Sequence, residues 1–146
     1  MVTAEEYFTD DISGLVNEAI TAAEKQTSGE IRLFIEDNCK IDVLDRAAFI
    51  FTELKMNATA ERNGVLFYLA MKSKKFAILG DAGINAKVPK DFWEAIKAQM
   101  QSHFVSGDFS KGLTVGISMA GEALKTYFPY QKGDKNELSN DIVFGK

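Results

Sequence analysis

The chain has 146 residues, of which 46% are hydrophobic and 26% are charged; this composition suits one globular domain and excludes collagen-like, low-complexity and disordered classes. The 17 basic and 21 acidic side chains give a formal net charge of -4, which argues against a nucleic-acid partner. A single cysteine, Cys39, and a single histidine, His103, exclude an intrachain disulfide, a cysteine-rich zinc site and a multi-histidine metal site. The side chains that remain for metal binding or acid-base chemistry are those with oxygen atoms, chiefly Asp and Glu.

The N-terminus has no basic start followed by an apolar core, so the sequence predicts no secretory signal. No apolar run approaches the roughly 18 residues that a transmembrane helix needs. We therefore expect a cytoplasmic protein with no membrane partner, and we expect a monomer.

Hydrophobic periodicity predicts the elements in chain order. Apolar residues at helical spacing predict a first helix over residues 4–26, with Thr3 and Glu6 as its capping box and Gly14 as the place for a bend. A strand at 30–36, a helix at 42–57 and a strand at 63–71 follow, and a hairpin turn leads into a strand at 76–79. Pro89 is predicted in the first turn of the next helix, which runs to residue 104, and Pro129 closes the last helix.

Helices before, between and after the strands predict a sheet that is covered on both faces, an α/β/α sandwich. We expect one domain over residues 1–130, followed by a polar, mobile C-terminal tail over residues 131–146. Within that tail, residues 141–144 either add an edge strand or fray.

Two loops gather the oxygen ligands, one over residues 36–42 after the first strand and one over residues 80–85 after the third. Open α/β sheets place their sites at the carboxyl ends of strands, and calcium takes roughly six to eight oxygen ligands. Asp37, Asp81 and Asn85 suit that chemistry. The acids near helix starts, Asp42 and Asp91 among them, also suit helix capping without any metal, as in a purely structural interaction domain.

Motifs of covalent catalysis are lacking. The glycines at 80 and 83 are not followed by the Lys-Ser/Thr pair of a phosphate-binding loop, and no third glycine completes a dinucleotide fingerprint. Nothing in the sequence places His103 beside Cys39, so Cys39 is predicted to be a bystander thiol. We assign no catalytic residue.

Four blocks of sequence resemble successive blocks of the TPM domain family, often labelled a TPM-type phosphatase family and formerly a domain of unknown function. They begin at Glu30, Arg62, Lys74 and Phe104 and read EIRLFI, RNGVLFYLA, KKFAILGDAGIN and FxxGDFxxGL. The resemblance covers residues 8–128 and is greatest to stand-alone, soluble bacterial members.

The resemblance implies a four- or five-stranded mixed sheet and two crossing loops, which hold one or two divalent cations, usually calcium, in several members. The candidate ligands at the matching positions are Glu36, Asp37, Asn38, Asp42, Asp81, Asn85 and Asp91. We expect a calcium-binding regulatory or interaction module with a protein partner; other divalent cations also fit. The alternative is a metal-dependent acid phosphatase acting on phosphomonoesters, with Lys40 and Lys87 as the nearby basic residues.

Overall fold

The computed structural model describes residues 3–130 and 142–145 and arranges them around one mixed, four-stranded sheet. The strands are β1 (Glu30–Glu36), β2 (Gly64–Ala70), β3 (Lys75–Gly80) and β4 (Val143–Phe144). The helices are α1 (Ala4–Tyr7), α2 (Asp10–Glu24), α3 (Val43–Glu53), α4 (Ala82–Asn85), α5 (Phe92–Val105) and α6 (Phe109–Tyr127), with a 3-10 turn at Met56–Ala58.

The strand order is β3-β2-β1-β4, and the directions of the strands decide which loops can meet. Strand β1 pairs in parallel with both β2 and β4, whereas β3 runs antiparallel to β2. Glu36 pairs with Ala70, which in turn pairs with Lys75; we call this edge the Glu36 end of the sheet. Gly80 pairs with Val65 near the start of β2, and we call the opposite edge the Gly80 end.

Alternating side chains divide the core between the two faces of the sheet. One face contributes Ile31, Leu33, Ile35, Val65, Phe67 and Leu69 to a cluster shared with α2, α5 and α6. The other contributes Phe34, Leu66, Tyr68 and Ala77 to a smaller cluster under α3. The predicted α/β/α sandwich with a mixed sheet is therefore confirmed.

Three predicted helix boundaries are corrected. The first helix is divided at residues 8–9, because Phe8 is buried and the Thr9 side chain accepts a hydrogen bond from Ile12 N, which starts α2. Helix α3 ends at residue 53 and is followed by the separate 3-10 turn. Helix α5 begins at Phe92, three residues after Pro89, and the short α4 was not predicted.

Small residues let α6 approach its neighbours closely. A Cβ atom on Gly112 would lie 2.4 Å from Phe104 Cε1, and one on Gly116 would lie 2.4 Å from Met100 Sδ. Helix α5 therefore packs directly against the α6 backbone, which fixes the position of the Phe104 ring.

At the C-terminus, Val143 and Phe144 pair with Phe34 and Ile35, so they form the edge strand that was one of the two sequence-based alternatives. The predicted mobile tail falls largely on residues 131–141, outside the described part of the chain. Within the described residues, the helices lack the combination of length and apolarity needed to cross a membrane.

Candidate functional site

An acidic pocket of about 370 Å³ opens at the Glu36 end of the sheet. Three distant segments of the chain build it: the start of α1, the loop after β1, and β4 with the residue after it. The lining residues are Thr3, Ala4, Glu5, Glu36, Asp37, Asn38, Phe144 and Gly145. The pocket thus brings three acidic residues and one asparagine to a single concave surface.

Asp37 links the loop after β1 to the N-terminal segment. Its Oδ1 accepts a 2.6 Å hydrogen bond from Ala4 N, and its carbonyl accepts bonds of 2.7 Å and 3.2 Å from the amides of Lys72 and Ser73. Asp37 Oδ2 makes no hydrogen bond with the described residues. Asn38, the next residue, is exposed. The loop is therefore held from two sides, and one carboxylate oxygen of Asp37 takes no part in these contacts.

Glu36 is buried and fully engaged. Arg46 Nε donates to Oε2 at 2.8 Å and Arg46 Nη2 donates to Oε1 at 2.9 Å, while the Tyr68 hydroxyl also donates to Oε2. Burial raises the pKa of Glu36, but the hydrogen bonds from Arg46 and Tyr68 together hold it below its usual range. Glu36 is therefore ionised at neutral pH, with its charge compensated by the guanidinium.

Two other groups near Glu36 are unsuited to catalysis as nucleophile or base. Burial and the hydrogen bond to Glu36 raise the pKa of Tyr68, so its hydroxyl remains a protonated donor at neutral pH. Cys39 is buried, and its Sγ donates to Ile41 O at 3.3 Å. These contacts favour a Glu36 carboxylate held in a fixed position over an activated tyrosine or cysteine nucleophile.

Asp42, the last predicted ligand in the first loop, caps α3. Its Oδ1 accepts hydrogen bonds from Leu44 N at 2.9 Å and from Asp45 N at 3.2 Å. Asp42 is exposed and does not line the acidic pocket. This geometry matches the capping alternative that the sequence left open.

Asp81, in the second predicted loop, lies at the Gly80 end and is buried. Its two carboxylate oxygens accept bonds of 2.6 Å and 2.8 Å from Arg62, and its Oδ1 also accepts from Ala82 N at the start of α4. The Asp81 carboxylate therefore joins the turn before β2 to the turn after β3.

The other two predicted ligands lie at the same end as Asp81. Asn85 Nδ2 donates to Gly80 O at 2.8 Å, and Asn85 Oδ1 accepts from Trp93 Nε1 at 2.8 Å, so both polar atoms of this amide are engaged. Asp91 precedes α5 without a side-chain capping hydrogen bond and is exposed.

The two predicted loops cannot jointly coordinate one cation in this fold, and that expectation is corrected. The register positions of Ala70 and Val65 on β2 mark the two ends, and five residues of strand separate them by about 17 Å. The physical reason is the antiparallel direction of β3, which carries Asp81 to the edge opposite Asp37. Glu36, Asp37 and Asn38 remain together; Asp81, Asn85 and Asp91 form a separate set.

Within residues 3–130 and 142–145, no three Asp, Glu, His or Cys side chains are grouped closely enough to hold a metal ion by themselves. The sequence patterns did not identify Glu5, Arg46 or Tyr68 as neighbours of the first loop. Arg46 and Tyr68 lie 10 and 32 residues from Glu36 along the chain, and no local pattern reports such contacts.

The chain is similar to one protein-family model and to solved structures. A family model described as TPM domain matches residues 1–123. The chain is similar to the NMR structure of the BA42 protein from the psychrophilic bacterium Bizionia argentinensis, with 46% identity over 99% of this chain and 100% of that chain and a TM-score of 0.91. It is also similar in fold to the N-terminal domain of the cg2496 protein from Corynebacterium glutamicum, with 12% identity over 83% of this chain and 76% of that chain and a TM-score of 0.63. The comparison with curated proteins found no match.

Proposed function

This chain belongs to the TPM domain family, and on that basis we propose that it is a regulatory module that binds calcium in the acidic pocket at the Glu36 end. The observation that carries the proposal is the convergence of Glu5, Asp37 and Asn38 on one pocket. Calcium accepts carboxylate, amide, backbone carbonyl and water oxygens in flexible geometry, so it does not need three convergent carboxylates.

The hydrogen-bond pattern supports different roles for Glu36, the last residue of β1, and Asp37, the first residue after it. Asp37 Oδ2 is the oxygen best suited to bind the cation, because Oδ1 already accepts from Ala4 N. Glu36 is compensated by Arg46, so it contributes less attraction to a cation. Asp37 is therefore the proposed principal ligand, supported by Asn38 and Glu5.

A cation in this pocket would couple α1, the loop after β1 and the end of β4. A ligand that binds only the folded state adds RT ln(1 + [L]/Kd) to stability, about 2.7 kcal/mol at one hundred times Kd. The order of these three segments would then depend on calcium and would change the surface offered to a protein partner. This coupling is the proposed basis of regulation.

The test compares two variants with the same change of charge. Asp37→Asn keeps an oxygen that accepts from Ala4 N but removes the charge, whereas Asp91→Asn removes an exposed charge at the opposite end of the sheet. Calcium is titrated against chelator while amide NMR signals and the melting temperature are followed. We expect Asp37→Asn to weaken calcium binding on the order of tenfold, because ligand charge sets calcium affinity, and Asp91→Asn to leave it unchanged.

The outcomes separate the alternatives. No response of the wild-type chain to millimolar calcium would refute the proposal, and a loss of affinity in Asp91→Asn alone would move the site to the Gly80 end. Turnover of p-nitrophenyl phosphate that requires calcium and is abolished by Asp37→Asn, with the fold intact, would replace the regulatory module with the phosphatase alternative.

A further inference from the structure

A second cavity, of about 460 Å³, lies at the Glu36 end between the turn joining β2 to β3 and the loop joining α5 to α6. It shares no lining residue with the acidic pocket, and its volume falls within the roughly 300–1,000 Å³ of sites for small molecules. We call it the aromatic cavity, because Phe76, Phe104 and Phe109 line it together with Leu69 and Met71.

The three phenylalanine rings form a continuous apolar wall. Phe76 and Phe104 pack edge to face with centroids 4.8 Å apart, and the centroids of Phe104 and Phe109 are 5.6 Å apart. Each of the three is only partly buried, and Val105 at the same cavity is 76% exposed. A ligand with an apolar body would remove this surface from water, which favours binding.

The charged residues that line the aromatic cavity are both lysines, Lys74 and Lys75, although the chain carries a net charge of -4. Lys75 Nζ donates to the carbonyls of Cys39 and Ile41 at 3.3 Å and 3.4 Å. The side chain of Lys74 is exposed and makes neither a hydrogen bond nor an ion pair with the described residues. Local positive charge beside an apolar wall is complementary to an amphiphilic anion.

The backbone of Lys74 has the conformation of a tight turn, and its amide donates to Met71 O at 3.2 Å. Its φ of 56° lies in the left-handed region that glycine adopts at lower cost. Lys55 and Arg62 adopt the same conformation elsewhere in the chain, so the exposed side chain of Lys74, and not its backbone, supports contact with a ligand.

We propose that the aromatic cavity binds an amphiphilic monocarboxylate, with its hydrocarbon body against Phe76 and Phe104 and its carboxylate beside Lys74. This site is independent of the proposed calcium site, so either can fail without the other. The apolar wall matches a hydrocarbon body, and the ammonium group of Lys74, which makes no ion pair with the described residues, matches a single negative charge.

The experiment titrates the isotopically labelled full chain with octanoate in the presence of chelator. We expect saturable shifts of the amide signals of Lys74, Phe76, Phe104 and Phe109, with the signals of Asp37 unchanged. Octanol, which has the same hydrocarbon body without the charge, should bind more weakly. Absence of saturable octanoate binding at millimolar concentration would refute the proposal, as would equal affinity for octanol.

Two variants and one matched control locate the site. Lys74→Gln should weaken octanoate binding about fivefold, the loss expected for an ion pair near the surface. Lys125→Gln makes the same change of charge about 24 Å along α6 from Phe109 and should have no effect. Gln101→Trp places a large ring on an exposed residue that lines the cavity and should block binding while leaving the melting temperature near that of the wild type.

Unchanged octanoate affinity in both Lys74→Gln and Gln101→Trp would overturn the proposed site. Binding to phosphatidylglycerol vesicles without any response to free octanoate would also overturn it, because the surface would then recognise a membrane. Binding of octanoate that Lys74→Gln and Gln101→Trp weaken and Lys125→Gln does not weaken would establish it.

Discussion

The contact between Arg46 and Glu36 allows the chemistry of the acidic pocket to be tested through stability. In Arg46→Met the apolar stem of the side chain is largely retained, but the two hydrogen bonds of 2.8 Å and 2.9 Å to the Glu36 carboxylate are lost. The variant leaves a buried carboxylate with Tyr68 as its remaining hydrogen-bond donor among the described side chains. We therefore expect a substantial loss of stability.

The magnitude follows from how much water reaches each partner. Removing one member of a fully buried ion pair costs about 3–5 kcal/mol. The Glu36 side chain is only 8% exposed, but the Arg46 side chain is 29% exposed, so water can partly solvate the abandoned carboxylate. The contacts of the guanidinium with the rings of Phe34 and Phe49, at 6.0 Å and 5.7 Å from their centroids, add about 0.5 kcal/mol each. We expect a total loss of about 2–3 kcal/mol.

Urea unfolding at pH 7 in chelator measures this loss, and a double-mutant cycle with Glu36→Gln assigns it to the pair. The pKa of Glu36 is lowered from its ordinary value of 4.5, so the ion pair contributes fully above about pH 4.5 and its contribution is lost as the pH falls through the lower, folded-state pKa. The gap between wild type and Arg46→Met should therefore narrow in acid.

Calcium provides a second readout of the same variant. Without Arg46 the carboxylate of Glu36 is uncompensated, so calcium in the acidic pocket should bind more tightly and should restore part of the lost stability. A gap in stability that stays constant from pH 7 to pH 3, or strict additivity in the cycle with Glu36→Gln, would refute the reasoning about the ion pair.

Two further predictions concern the buried hydroxyl and a close backbone approach. Tyr68→Phe removes a hydrogen-bond donor to Glu36 and should lower the free energy of unfolding by about 1–2 kcal/mol. Because the pKa of Tyr68 is raised in the folded state, the wild type should also lose stability as the pH rises above about 10. Urea unfolding in alkali should show that the variant lacks this loss. Gly83→Ala places a Cβ 2.0 Å from Glu61 O and should lower the free energy of unfolding by at least about 2 kcal/mol. In the control variant Gly14→Ala the new Cβ meets no atom within 4 Å, so the melting temperature should rise. Equal melting temperatures for the two variants would contradict the close approach of Glu61 O to Gly83.

The two proposed sites lie at the same end of the sheet but use different segments of the chain and different chemistry. The acidic pocket uses α1, the loop after β1 and β4, and its chemistry is that of oxygen ligands. The aromatic cavity uses the turn after β2 and the loop after α5, and its chemistry is apolar with positive charge. The edge-to-face contact of Tyr7 in α1 with Phe109 links the two, with ring centroids 5.4 Å apart. Comparing calcium affinity with and without octanoate would measure any coupling between them.

Local patterns in the sequence were sufficient to predict most of the elements and the fold class. Strand β1 matches its predicted range of 30–36, because a short run of mostly apolar and β-branched residues bounded by Glu30 and Glu36 is typical of a strand. The capping box of Thr3 and Glu6 and the cap at Asp42 were also readable, since a cap involves residues only a few positions apart. These features depend on neighbours along the chain.

The candidate site depended on contacts that no local pattern contains. The sequence of a strand does not reveal the direction in which it runs in the sheet. Strand β3 pairs antiparallel with β2, which places Asp81 at the edge opposite Asp37. The partners of Glu36 and the segments that line the acidic pocket come from distant positions that only meet when the sheet and helices have packed. The order of residues along the chain was enough to show which side chains could supply oxygen ligands and which elements would carry them. Which carboxylates share a pocket, and which are already occupied by arginine, became visible only in the folded chain, because both are set by strand direction and long-range packing.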